Sequence, residues 1–567
     1  MITSENFYHD NPDLRFVMEQ MIDWQTLFSL RGDVGRPDSP FDSVDEAKEA
    51  NLDMLADPIG AISAQRIAPR AEEVDHLGCR LENGAVRFPD ALQRNLDDLR
   101  DAQLTGLTVD PAYGGIGFTK TFYSAATELV SRADASLMNF FGLQGIADTL
   151  QMFASEEIKA EMLPPMASGE LSGAMVLTEA DAGSDLGSVR TRSTLEAEQD
   201  PEGAWTISGA KRFITNGCGD VLLVLARSED PAKYGGGRGL SFFLVTKSER
   251  VQVRRIEEKL GIHGSPTCEL YFDKAPARLI GRRGHGLTRY TAWLMAAARL
   301  GVAGQSVGIS EAALREAEAY ADEREQFGKP IRSMPAVASM LAEMRVATEA
   351  SRALLYATSA YVDLQEAAEK FGMKEEEKRF ARGADLLTPL VKYYTSEVCN
   401  RVASDAIQVH GGNGFMKDYP VERLFRDARI TTIYEGTSQI QIDWAVIRLV
   451  RGDMAAILTP FGELDWAALG LAEEAAALSA TRALLDEATA FVKEKGAQYR
   501  DLMARRLVDL ALDHYLGWLL LHQASKWDYK RKVAARFMAD ALPRMRMLHE
   551  VVMSGRALEL EQLDPKA

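Results

Sequence analysis

Glu435 sits in the turn Ile433-Tyr434-Glu435-Gly436-Thr437-Ser438, between two stretches of helical periodicity. A carboxylate on a turn before a helix start is well placed to act as a base. Thr437 or Ser438 can cap the next helix, which carries Ile440, Trp444 and Ile447 on one face. The N-terminus of that helix suits a phosphate-bearing ligand. The helix before the turn shows Leu387, Leu390, Val391, Tyr394, Val398, Val402, Ala406 and Val409 at three- and four-residue steps. It stops at Gly411-Gly412, residues that can take positive φ and let a ligand or another backbone come close. Singly, each feature has an ordinary explanation: a solvated loop glutamate, a glycine helix stop. Their order along the chain carries the information.

Composition narrows the function classes. With 567 residues, 46% of them hydrophobic, the chain can bury a large core and should form several domains or subdomains. A formal net charge of -18 argues against duplex nucleic acid as the main partner. Cys79, Cys218, Cys268 and Cys399 are far apart, show no metal spacing and read as thiols of a reducing compartment. The start, MITSENFYHDNPDLRF, has acids and no apolar core, so it is no signal peptide. No apolar run is long enough to span a bilayer, and a cytoplasmic protein is expected. No GxGxxG follows a strand, so no Rossmann site for NAD is indicated.

The elements that must position Glu435 fall into blocks. Helical patterns run from residue 10 to 30, from 43 to 67, from 90 to 103, and from Lys120 to about Pro164. The character changes near Leu171. MVLTEADAGSD, WTISGAKRFITNG, VLLVLARS, LSFFLVTKS, VQVRRIEEK and TCELYFDKA are short β-rich runs with turn signals between them. Helical patterns return over 287–325, 334–365 and 389–409, and again in the tail over 468–478, 484–492, 502–524 and 533–553. Helix, sheet, helix in that order predicts an α+β architecture of segregated blocks.

At HGGNGF, YPVERLFRDARI and IYEGTSQIQ the chain resembles the acyl-CoA dehydrogenase family, over roughly residues 45–453. The resemblance implies an N-terminal helical domain (43–170), a central β-barrel-like domain (171–280) and a C-terminal four-helix bundle (281–453). An N-terminal extension (1–42) and a further helical extension (454–567) resemble the longer branch of the family. The implied reaction is FAD-dependent α,β-dehydrogenation of an acyl-CoA to the trans-2-enoyl-CoA. A base removes the α-proton, and the β-hydride moves to flavin N5. By resemblance Glu435 is that base, and Gly436 follows it because the thioester passes close to the backbone. Some relatives carry the base just before the arginine of the bundle helix; here that place holds Ala298, so no carboxylate competes. Arg299 matches a substrate-side arginine. Ala296, three residues earlier, departs from the usual Asn or Asp, which puts the pantetheine contact in doubt.

The other roles follow the same resemblance. Met175, Val176, Leu177 and Thr178 would meet the isoalloxazine edge, with Ser184 on the CoA or pyrophosphate side. In FITNG, Phe213 replaces the commoner Trp and Thr215 would reach N5. Ser228 matches a serine near CoA. In EREQFGKPI, Arg324 would bind the pyrophosphate and Phe327 pack on the adenosine of a neighbouring subunit's FAD. Gln408, Gly411 and Gly412 would reach the same neighbour, while Thr437 and Gln439 would hold the FAD of their own chain. A homodimer or homotetramer is implied, with electron-transferring flavoprotein as electron acceptor.

Tail specificity is expected in the stretch DASLMNFFGLQGIADTL, at Met138 with Asn139, Phe140, Phe141 and Leu143 about it. No cation stands there to pair a distal carboxylate, so an apolar acyl tail is expected. KLGIHGSPTCEL resembles relatives acting on long acyl chains and on 3-methylthiopropanoyl-CoA. Three competing readings share the fold or its tail. A nitroalkane-oxidase-like enzyme would use Asp at position 435. A DNA-associated alkylation-response flavoprotein would use the basic cluster Lys526, Lys530, Arg531, Lys532, Arg536, Arg544 and Arg546. Membrane docking would use the same cluster with Trp527, Tyr529 and Phe537.

Overall fold

The computed structural model describes residues 4–196 and 205–556. The chain groups into two compact units, and these do not follow the sequence blocks. The first comprises Met1–Pro12, Lys48–Val337 and Cys399–Glu435; the second comprises Asp13–Ala47, Ala338–Val398 and Gly436–Ala567. The architecture is α+β, with helical regions before and after a central sheet. Among the described residues, no helix is long and apolar enough to cross a membrane.

In the first unit a small hairpin, β1 (Arg80–Glu82) and β2 (Ala85–Arg87), precedes a seven-stranded sheet. Its strands are β3 (Gly173–Val176), β4 (Arg192–Leu195), β5 (Trp205–Thr215), β6 (Val221–Arg227), β7 (Leu240–Thr246), β8 (Val251–Ile256) and β9 (Thr267–Ile280). Pairing runs β6–β4–β5–β9–β7 and returns from β7 to β6, so the sheet closes on itself as a barrel. β3 lies outside this ring and runs parallel to β6, with Met175 opposite Leu223. The VLLVLA run of β6 is buried on both faces. Leu222, Val224 and Ala226 face the barrel core with Trp205 and Phe243. Val221, Leu223 and Leu225 face a second core with Ile146, Leu150, Leu163 and Leu294. That two-sided burial explains an unbroken apolar strand in place of an alternating one.

The stretch from Lys120 to Pro164, expected as continuous helix, is four helices: Lys120–Ala133, Ala135–Phe141, Gln144–Phe153 and Glu156–Ala167. Local caps cut it. Asp134 leaves helical dihedrals at φ -152° and accepts from the Ser136 N–H, and Ser155 accepts from the Ile158 N–H. The long helix Ala292–Glu323 lies against Lys120–Ala133. Its glycines permit this: a Cβ on Gly308 would come within 2.5 Å of the Glu128 carbonyl oxygen, and one on Gly304 within 3.1 Å of Thr127.

In the second unit the described residues of the C-terminal extension form a short helix, Met454–Gly462, and three long packed helices, Ala472–Lys495, Ala497–Ala524 and Asp528–Met553. The segments expected at 468–478 and 484–492 form one helix. The helix Lys374–His410 begins well before the expected 389, because its first turns are charged and show no apolar period. Glu375, Glu376 and Glu377 favour that start through the helix dipole. Trp518, Leu520 and Leu521 are buried, with Trp518 against Phe461 and Trp466.

Of the tail's basic cluster Lys530 is buried, Arg531 and Arg536 are half-buried, and Lys526, Lys532, Arg544 and Arg546 are exposed. Lys530 is fully buried; it pairs with Glu349 at 2.6 Å and with Asp13, which also takes Arg352 at 2.6 Å. These four charges join the N-terminal extension, the helix Pro335–Lys370 and the C-terminal extension. Arg531 donates to the Leu469 and Gly470 carbonyls, Arg536 pairs with Glu343 and Asp540, and Arg544 pairs with Asp513. Trp527 packs on Phe16, and Phe537 is buried. Arg531, Arg536 and Arg544 are thus engaged by neighbouring groups of the chain, and Lys530 is withdrawn from solvent.

Candidate active site

β3 and β5 are stapled together. The Arg212 N–H donates to the Thr178 carbonyl at 2.9 Å, Asn216 Nδ2 to the Gly173 carbonyl at 3.0 Å, and Lys211 Nζ to the Leu177 carbonyl at 2.7 Å. Lys211 is fully buried; burial pulls its ammonium down to about 8, while Glu179, 3.0 Å away, opposes that shift. Glu179 also accepts from the Arg190 and Thr191 N–H groups, which shapes the loop to Ser184. Val176 and Leu177 are buried, Met175 and Thr178 half-buried, and Ser184 exposed.

The sequence brings Phe213 and Thr215 to the same place. β5 breaks register with β9 between Lys211 and Ile214, and Phe213 takes φ 61° at that irregularity. The residue is 51% exposed. A positive φ in a bulky residue costs roughly 1–3 kcal/mol and persists where function uses it. Ser228 lies away from these groups in hydrogen bonding. Its hydroxyl is 2.6 Å from the Ser241 hydroxyl, beside the Arg283–Glu229 pair.

Glu435 also takes a positive φ, 55°, and is half-buried. Arg299, on the Ala292–Glu323 helix, feels its carboxylate. Burial pulls the guanidinium down from its ordinary value, and Glu435 opposes that shift. The Arg299 Nε is buried and has no hydrogen-bond partner among the described residues. Such a donor is rare in a finished core and ordinary where a ligand completes the set. Ala298 and Ala296 are half-buried on the same helix. The residue before Glu435 is anchored: the Tyr434 hydroxyl donates to Gln305 Oε1.

In the second unit the chain continues through Gly436, at φ 87°, where a Cβ would sit 2.6 Å from Gln441 Nε2. The buried Lys392 donates to the Gly436 carbonyl at 2.7 Å. Of the two candidate caps, Thr437 is the one used; it accepts from the Ile440 N–H. Gln439 is exposed. The helix Ser438–Arg451 buries Ile442, Ala445, Val446 and Leu449, and leaves Trp444 53% exposed. The expected apolar face of Ile440, Trp444 and Ile447 is thus its outer face.

Back in the first unit, Arg324 stands at the end of the Ala292–Glu323 helix and starts a tight hairpin, β10 (Glu325–Gln326) with β11 (Lys329–Pro330). Phe327 and Gly328 form the two-residue turn at φ 54° and 76°. Phe327 is 93% exposed, which no folding argument favours. Gly411, at φ 60°, and Gly412 have nothing within 4 Å of a built Cβ. They and Gln408 are exposed. Tyr320 links the two segments: its ring stacks on His410 at 4.2 Å, and its hydroxyl accepts from Asn413 at 3.0 Å. Sequence reasoning missed Tyr320, Asn413, Lys211 and Gln305. Only HGGNG, which contains Asn413, gave a signal for any of them.

Three domain models of one family match consecutive stretches: the acyl-CoA dehydrogenase N-terminal domain over 49–170, middle domain over 174–275 and C-terminal domain over 284–449. A 3-methylmercaptopropionyl-CoA dehydrogenase of Ruegeria pomeroyi is 36% identical over 80% of this chain and 78% of its own. The chain belongs to the acyl-CoA dehydrogenase family. It is an FAD-dependent enzyme of acyl-CoA dehydrogenation. The structure of butyryl-CoA dehydrogenase from Megasphaera elsdenii superposes with TM-score 0.60 at 30% identity, over 71% of this chain and 98% of that one. ACDH-11 of Caenorhabditis elegans, solved in complex with C11-CoA, shares the fold over 98% of this chain and 96% of its own, with TM-score 0.77 at 22% identity. The likeness to it therefore runs through the C-terminal extension.

The residues of this acyl-CoA dehydrogenase fit FAD. Phe213 and Phe327 are bulky side chains exposed on strained backbone, and Gly411 and Gly412 leave open approach.

Proposed function

We propose that this acyl-CoA dehydrogenase converts an acyl-CoA with an apolar tail to the trans-2-enoyl-CoA, with Glu435 removing the α-proton. The observations that carry the reading are the positive φ of Glu435 and the buried, unpartnered Nε of the half-buried Arg299, whose guanidinium is electrostatically coupled to Glu435. An α-proton of a thioester is weakly acidic and becomes removable when donors stabilise charge building on the carbonyl oxygen. The Glu435 backbone N–H is the donor this chain contributes. FAD, when bound, supplies the hydride acceptor. Met175–Thr178, Phe213 and Thr215 hold it on the sheet side, with Thr437 and Gln439 contacting the FAD of their own chain. Ser184, Ser228, Arg299 and Gly436 contact the acyl-CoA. Arg324, Phe327, Gln408, Gly411 and Gly412 contact the FAD of a neighbouring subunit in a homodimer or homotetramer. Electron-transferring flavoprotein reoxidises the enzyme.

The tail end is apolar. Met138 and Phe141 are buried on the helix Ala135–Phe141, and Met138 Cε lies 3.1 Å from a built Cβ on Gly301. A second reading, 3-methylthiopropanoyl-CoA as the specific substrate, is favoured by the Ruegeria relative's 36% identity over 80% of this chain. Anaerobic titration of the yellow protein with butanoyl-, octanoyl-, palmitoyl- and 3-methylthiopropanoyl-CoA separates the two. The first reading predicts stoichiometric bleaching by a straight-chain thioester. Bleaching by the methylthio compound alone selects the second, and bleaching by none of them contradicts both.

A further inference from the structure

Gln305 lies mid-way along the Ala292–Glu323 helix and is fully buried. Its amide is committed at both ends. Nε2 donates to the Ala135 carbonyl at 2.8 Å and lies 3.4 Å from Asn139 Oδ1. Those acceptors fix the amide's orientation, so that Oε1 faces the Tyr434 hydroxyl and accepts from it. The same hydroxyl lies 3.4 Å from Asn139 Oδ1, and Asn139 Nδ2 donates to Ser265 Oγ at 3.0 Å. Gln305, Asn139 and Ser265 are all buried.

Two things meet at this network. On one side Tyr434 immediately precedes Glu435, whose positive φ persists only if its neighbours over-determine it. On the other side Asn139 is next to Met138 on the Ala135–Phe141 helix, and Met138 leans on Gly301 of the helix that carries Arg299 and Gln305. An interlocked set of buried amides transmits displacement, because leaving any member unpaired carries the full desolvation penalty of that group.

We propose that Gln305 is a positioning residue. Through Tyr434 it sets the backbone of Glu435, and through Asn139 it ties that backbone to the helix beside the acyl tail. How well a tail fills the space at Met138 then changes the rate of proton removal, and not affinity alone. The inference rests on the reading of Glu435 as base and of Met138 as tail-side.

The test uses the full-length holoenzyme and the limiting rate of anaerobic flavin reduction across butanoyl-, hexanoyl-, octanoyl- and decanoyl-CoA. Tyr434→Phe should slow reduction by tenfold or more with dissociation constants changed less than threefold, and the rates should lose their dependence on chain length. Ser265→Ala, which loosens Asn139 only, should slow reduction two- to fivefold with the same flattening, and it serves where Tyr434→Phe does not fold. The double variant Tyr434→Phe/Gln305→Leu should be no slower than its slower parent. Additive losses, or a chain-length profile parallel to wild type in either single variant, overturn the inference. Glu435→Gln separates the two failures. If it reduces flavin normally, the base reading falls. If it is inactive while Tyr434→Phe and Ser265→Ala keep wild-type rates and profile, only the role of Gln305 falls.

Discussion

Around Glu435 and around Lys530 the chain buries charge under opposite conditions. Arg299, electrostatically coupled to Glu435, keeps a buried Nε with no hydrogen-bond partner among the described residues, and the backbone at Glu435, Phe213 and Phe327 sits at positive φ. Around Lys530 every named charge has a close opposite: Asp13 with Lys530 and Arg352, Glu349 with Lys530 and the Tyr529 hydroxyl. Strain and an unused donor are what a stability argument would remove, so they mark a place shaped for a ligand. A closed set of buried charges marks architecture. Replacing it with apolar groups can be neutral, but breaking it is not.

That difference is most exposed by Lys530→Met, which removes the cation shared by the buried Asp13 and Glu349 carboxylates and leaves two acids beside Arg352 and the half-exposed Arg345. A loss of about 3–5 kcal/mol is expected, read as a fall in the calorimetric Tm or as aggregation. An unchanged Tm would mean that the cluster joins nothing.

Acid should act next. The His514 Nε2 accepts from Trp518 Nε1–H at 3.3 Å, and its Nδ1–H faces the Thr481 hydroxyl at 2.8 Å, whose own proton goes to the Leu478 carbonyl. The neutral ring is satisfied there, and a second proton has no acceptor. Burial pushes His514 and His522 down to about 4. These folded values lie below the unfolded value of about 6.5, so their contribution is complete above that pH and is lost as pH falls towards 4. For His514 alone the loss is about 3 kcal/mol. Urea midpoints at pH 7 and pH 4.5 measure it, and the difference should shrink in His514→Gln.

On the ligand-shaped side, Arg324→Ala should weaken FAD retention by about tenfold to a hundredfold, the worth of a charge-assisted hydrogen bond. Filtration of diluted protein reads the loss of yellow colour. Full retention would remove Arg324 from the site.

The smallest effect has the reverse pH sign. Both nitrogens of His263 face acceptors, Asp75 Oδ1 at 2.9 Å and the Lys259 carbonyl at 2.9 Å, so the protonated ring is favoured and its pKa is raised. A raised folded value gives stability that is present below about 6.5 and is lost as pH rises through the folded value. The ring is about a third exposed, which limits the effect to below about 1 kcal/mol. His263→Gln should lower Tm slightly at pH 6 and not at pH 9.

Much of this was legible in order and pattern. Block order gave α+β, and the linear motifs IYEGTSQIQ and HGGNGF located the turn and the glycine stop. What stayed hidden depends on long-range pairing. Gln305 reads as one polar residue in an apolar helix until Tyr434 and Asn139 arrive from far along the chain. Lys530 reads as part of a basic run until Asp13 and Glu349 close around it. The outward face of Ile440, Trp444 and Ile447 has the same cause. Periodicity finds an apolar stripe, and only packing decides which stripe of Ser438–Arg451 is covered.

The central claim is that Glu435 takes the α-proton, and stopped-flow anaerobic reduction of Glu435→Gln holoenzyme tests it most directly. The amide keeps size and hydrogen bonding but takes no proton near neutral pH. The variant should fold, remain yellow and bind the acyl-CoA, with reduction slowed by at least ~10² to 10⁴, the usual worth of a positioned general base. Reduction at the wild-type rate would contradict the account and move the base elsewhere.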